Sequence, residues 1–120
     1  IRTPFVVGSN RSRTFIITKL PGALQLQHDH RHSDGIPDSI TLYGGTTNNS
    51  GSPTMQIFPA DQHTANILPA AAGNVWWFDM QPGKWISYNL RRMGTDRIFT
   101  IRFDLTQPVQ PPEAPWGWKD

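Results

Sequence analysis

The sequence predicts an all-β domain, a single antiparallel jelly-roll sandwich or small barrel of about eight strands. Three observations carry that expectation. Short runs of β-branched and aromatic residues recur at spacings of roughly 8–12 residues, each closed by turn-forming residues. No window sustains the apolar period of an amphipathic helix. The 120 residues include 10 Gly and 11 Pro, which suits a chain that reverses often. That length is one domain with one core.

Thr14 to Leu20 (TFIITKL) reads as the first clear strand and stops at Pro21-Gly22. In the next segment Leu24, Leu26, His28, His30 and His32 share one face, and Gln25, Gln27, Asp29 and Arg31 the other. Ser39 to Tyr43 follows as a strand, with Ile40 and Leu42 on one side. Gly44 to Pro53 contains no apolar side chain, so it is expected to be an exposed loop. Met55 to Phe58 and Asn66 to Leu68 read as short strands ended by Pro59 and Pro69. Ala70-Ala71-Ala72 is too short for a helix of its own. Val75 to Met80 and Trp85 to Leu90 flank Gln81-Pro82-Gly83-Lys84, where Pro then Gly matches a type II turn; this is a hairpin. Ile98 to Leu105 alternates cleanly, as a half-buried strand does. Residues 1–106 thus form the β domain. Residues 107–120 form an extended tail with four prolines and Trp116-Gly117-Trp118.

Composition narrows the function. Hydrophobic residues make up 37 % and charged residues 17 %, the latter below the roughly 25 % of soluble domains. A net charge of +2 is too small to argue for nucleic acid through phosphate neutralisation. Without cysteine there is neither a disulfide framework nor a thiol nucleophile. No apolar run approaches the roughly 20 residues of a membrane-spanning helix, and no signal peptide pattern is visible. The chain opens on Ile1 rather than Met, as expected of a processed product or an excised domain. No nucleophile elbow or phosphate-cradling glycine loop is present. The only glutamate, Glu113, lies in the tail.

The chemically richest stretch is Gln27-His28-Asp29-His30-Arg31-His32. Extended, it projects three imidazoles from one face. With His63 and Asp34 these form a candidate site for one divalent ion, zinc, iron, manganese or nickel. A second reading is a calcium loop ending in Asp34 and Asp38, although histidines stand where the first carboxylates would. A third is structural: a polar strand end whose histidines respond to pH.

Gly22, five residues, then His28-x-His30 with an acid at Asp34 resembles the first motif of the cupins. Gly73-Asn74 followed by Pro82-Gly83 and Asn89 is similar to the second. The resemblance spans Gly22 to Asn89. It implies a jelly-roll β-barrel, and for many members a metal used in oxygenase, isomerase or epimerase chemistry. Asp34 stands in place of glutamate, and Ile86 or a neighbour occupies the second-motif histidine position. The resemblance therefore speaks for the fold more than for catalysis.

Tryptophans form the other notable set. Trp76 and Trp77 are adjacent, so in a strand one fills the core and the other faces outward. Trp77, Trp85, Trp116 and Trp118 are candidate contacts for a partner or a glycan. The two tail residues are expected to dock on the same domain or on a neighbouring copy. Together these features favour a non-catalytic structural or recognition module over an enzyme. The expected forms are a self-associating capsid or spike domain, or a lectin-like domain, outside cells or on a virion surface. The alternative is a cupin-like metalloenzyme built on His28, His30 and His32.

Overall fold

In the computed structural model, which describes residues 1–119, the period-two segments become strands wherever a tight turn lets them return. β1 (Arg2–Val7) and β2 (Asn10–Leu20) pair antiparallel across Gly8-Ser9. Pro21-Gly22 then returns the chain into β3 (Ala23–His30), with Leu20 opposite Ala23. Gly22 takes φ 71°, the left-handed conformation that a type II turn demands at that position. β4 (Tyr43–Thr46) completes a sheet ordered β1-β2-β3-β4. The second sheet, β5-β6-β7-β8, comprises Met55–Pro59, Asn74–Gln81, Trp85–Arg92 and Ile98–Asp104. The predicted hairpin at Gln81–Lys84 forms, with Lys84 N donating to Gln81 O at 3.0 Å.

Eight antiparallel strands in two packed sheets are the predicted class. The chain finishes one sheet before beginning the other, so each is a meander. A single bridge, Gly45 to Ala60, links the β4 and β5 edges. The core lies between the sheets and comprises Phe5, Phe15 and Leu26 from one and Phe58, Trp76, Tyr88 and Leu90 from the other. Full burial of each such side chain contributes about 2 kcal/mol. As alternation requires, Trp76 is in this core while Trp77 is half-buried on the outer face.

Three local expectations are corrected, and a strand at Arg2–Val7 precedes the first one predicted. Ser39 to Leu42 is a turn rather than a strand, because Asp38 Oδ1 captures the Ile40 amide at 3.0 Å and Leu42 takes φ 68°. Gly44 and Gly45 are buried in β4 rather than exposed in a loop. A side chain on Gly44 would strike the Leu26 carbonyl, and one on Gly45 the Pro59 carbonyl, so only glycine lets β4 fit between its neighbours. Asn66–Leu68 is not a strand: Asn66 and Ile67 end the helix α1 (Gln62–Ile67) and Leu68 is its C-cap. Asp61 caps the start of α1 by accepting from Thr64 N at 2.8 Å. Thr64 in turn bonds both the Gly44 N–H and its carbonyl, each at 2.7 Å.

The tail lies along its own domain. Trp116 N donates to Arg11 O at 3.0 Å, Arg11 donates to Ala114 O at 2.9 Å, and Arg11 pairs with Glu113 at 2.8 Å. Trp118 Nε1 donates to Asp29 Oδ2 at 2.7 Å on the outer face of the first sheet. The guanidinium groups of Arg2 and Arg31 stand 4.6 and 5.1 Å from the Trp118 ring.

Candidate functional site

Phe15 and His28 are opposite one another on β2 and β3, and both point between the sheets. His28 is only 1 % exposed. Its Nδ1 lies 2.9 Å from the Tyr43 carbonyl and its Nε2 2.8 Å from the Tyr88 hydroxyl. A carbonyl can only accept, so the proton sits on Nδ1, and Nε2 accepts from the phenol. His28 therefore ties β4 to β7 across the sandwich. Burial lowers its pKa from 6.5 to about 4, against the opposing effect of the Tyr43 carbonyl. Burial likewise raises the Tyr88 phenol far above its usual range, with Tyr43 adding to the effect. The Trp76 indole N–H is buried without a hydrogen-bond partner among the described residues.

Around this pair a cleft of about 270 Å³ opens between the sheets. Its aromatic wall is a stack: Phe5 on Phe15 at 5.4 Å and 16°, and Phe15 on Tyr88 at 4.4 Å and 14°. Phe99 meets Tyr88 edge-on at 6.2 Å and is 45 % exposed. Tyr43 lies parallel to the His28 ring at 4.5 Å. Arg13 and Arg97 also line the cleft, and none of its ten lining residues is a carboxylate.

The sequence-predicted metal set is dispersed. His28 is in the floor of the cleft with both nitrogens engaged. His30 is partly buried opposite Arg13, and burial followed by that cation lowers its pKa. His32 lies beyond the end of β3, with Nε2 3.7 Å from Asp38 Oδ2. His63 is exposed on α1. Asp34 is exposed and accepts from the Ile36 amide at 2.9 Å. Asp38 accepts from the Ile40 amide, which holds its pKa below the usual carboxylate range. Among the described residues, no three His, Asp, Glu or Cys side chains are grouped to hold an ion.

The four candidate contact tryptophans fall on two outer faces. Trp77 sits in the second sheet between Ile57 and Asn89, and Trp85 lies 4.0 Å beneath the Arg102 guanidinium. Trp116 and Trp118 are partly buried in the tail's seat on the first sheet. Of the residues that line the cleft, His28 was a predicted site residue, whereas Phe5 and Phe15 carried no functional expectation from the sequence. The available signal was Arg13 and Phe15 at period two, but only the β2–β3 register aligns them with His30 and His28. Comparison with family models, with characterised proteins and with solved structures finds no match for the chain.

Proposed function

We propose that this domain is a non-catalytic recognition module that binds a small organic molecule in the cleft between its sheets. The observation that carries the reading is the stacked aromatic wall of Phe5, Phe15 and Tyr88 beside an opening rimmed by exposed Phe99. Such a wall offers apolar contact area with little side-chain freedom to lose. The polar floor argues against proton transfer. A general base works best with a pKa near the operating pH, whereas His28 is held near 4 with its acceptor nitrogen occupied. Tyr88 is too weak an acid to serve as its partner. The pair is suited to orienting a ligand and holding the sheets together. Trp118 is seated on its own sheet, so burying it does not require a second copy.

The test is a titration followed by NMR, using small aromatic rings each supplied as acid, amide and amine. Shifts concentrated at Phe15, Tyr88 and Phe99 are expected. If every compound leaves those resonances unmoved, the reading fails.

A further inference from the structure

Arg13 and Arg97 distinguish this cleft from a merely greasy slot. Among the described residues, neither guanidinium has an ion pair or a side-chain hydrogen bond. Arg11 pairs with Glu113, Arg31 with Asp29 and Arg92 with Asn74, and Arg102 lies on Trp85; Arg91, equally unpaired among the described residues, is exposed on β7 outside the cleft lining. Across the β2–β3 register Arg13 faces His30, not an acid. Burial raises the phenols of Tyr43 and Tyr88, and both cations act on each in the lowering direction, with Asp38 opposing them at Tyr43, so the two fields reach one region of the cleft. Two like charges beside an apolar wall, with no lining carboxylate to offset them, form a site complementary to an anion. A guanidinium also presents a planar fork that matches a carboxylate's two oxygens.

The walls set the rest of the ligand. Phe5, Phe15 and Tyr88 lie within 16° of parallel at each step, giving a layered aromatic surface against which a flat ring packs well. The cleft's volume of about 270 Å³ falls just below the roughly 300–1,000 Å³ of pockets for drug-sized ligands. One or two fused rings suit that space. We infer that the ligand is a small aryl carboxylate, its ring against the Phe15–Tyr88 wall and its carboxylate held by Arg13 and Arg97. This rests on the cleft reading above and adds a charge and a shape to it.

The experiment compares affinities of the full chain for benzoate, 2-naphthoate and indole-3-acetate with those for their amides and the corresponding amines. Calorimetry at low ionic strength is the readout. Acids are expected to bind about tenfold tighter than amides, as charged hydrogen bonds imply, and amines most weakly. Arg97→Gln and Arg13→Gln should each remove most of the acid's advantage over its own amide. Added salt should shrink the acid-to-amide ratio. Arg97 is exposed, so its variant carries the test even if Arg13→Gln does not fold. Acids binding no tighter than amides, or an Arg97→Gln chain with unchanged acid preference, overturn the charge inference alone. Failure of acids, amides and amines alike overturns the cleft reading with it.

Discussion

Acidification should weaken this domain in a window set by one buried imidazole. His28 is neutral in the native state down to about pH 4, whereas its unfolded value is 6.5. Between those limits the unfolded chain binds a proton that the native chain does not. Stability therefore rises with pH across the window and is lost on descending through it. At about 1.4 kcal/mol per pH unit, the lowered pKa corresponds to about 3 kcal/mol, most of it spent by pH 4.5. For a domain of this size that is a fall of about 12 °C in Tm, at about 4 °C per kcal/mol. The groups facing His28 do not cancel the effect. Arg13 and His30 both oppose its protonation, and the lowered pKa of partly buried His30 acts in the same direction. Asp38 titrates below the usual carboxylate range, so its contribution disappears only at more acidic pH. The assay is urea unfolding from pH 7.5 to 4.5 for the natural chain and for His28→Gln, which retains an acceptor for Tyr88. The variant should be less stable at pH 7.5 by about 1–3 kcal/mol and much flatter with pH. An identical slope in both proteins, or an NMR titration of His28 centred near 6.5, would refute the reasoning.

Two further outcomes test how the sandwich is held. Thr64→Val keeps the side chain's shape but leaves the buried Gly44 N–H and carbonyl without the hydroxyl that bonds both. A loss of about 2 kcal/mol is expected, with faster hydrogen exchange at Gly44; a change below about 0.5 kcal/mol contradicts it. Trp118→Ala removes one partner of the buried Asp29 carboxylate and the ring that Arg2 and Arg31 flank. It should cost about 2 kcal/mol, while deletion of residues 107–120 leaves the sedimentation coefficient of the domain at its original oligomeric state. A shift in that state would place the tail between copies instead.

The parts of the fold that were legible are those in which local chemistry and tertiary structure agree. Pro82-Gly83 specified its turn, the alternation of Phe99, Ile101 and Phe103 specified β8, and the Trp76-Trp77 step placed one ring inside. Where they diverge, the sequence misleads. Gly44 and Gly45 have the composition of a loop, yet they are strand because Leu26 and Pro59 carbonyls press where side chains would be. Asp61 is a helix-capping residue by type, but α1 is only six residues long and shows no period; its single buried threonine is fixed by β4 rather than by an apolar face. The cleft was least legible of all. Its residues come from β1, β2, β3, β4, β7 and β8 and, for Arg97, from the turn before β8, and no spacing along the chain reports that convergence.

The three histidines make the same point at closer range. Residues two apart on a strand share a face, but each step of two moves about 6.6 Å along it. In an ideal strand the span from His28 to His32 would be about 13 Å, and three parallel imidazoles so spaced do not converge on one ion with bonds of about 2 Å. A shared face does not create a shared site. Depth along the strand then separates their chemistry. His28 lies beneath Trp76 and Tyr88, at 5.2 and 5.8 Å between ring centres, and becomes a neutral strut between sheets. His30 ends β3 next to Arg13 and is only partly buried. His32 has left the strand, with a side chain 59 % exposed beside Asp38. The period-two motif runs from the interior to solvent, and its most useful member is the one whose nitrogens are already taken. His28 holds the Tyr43 carbonyl and the Tyr88 hydroxyl, and in the proposed function the charge that would select a ligand comes from arginines outside the motif.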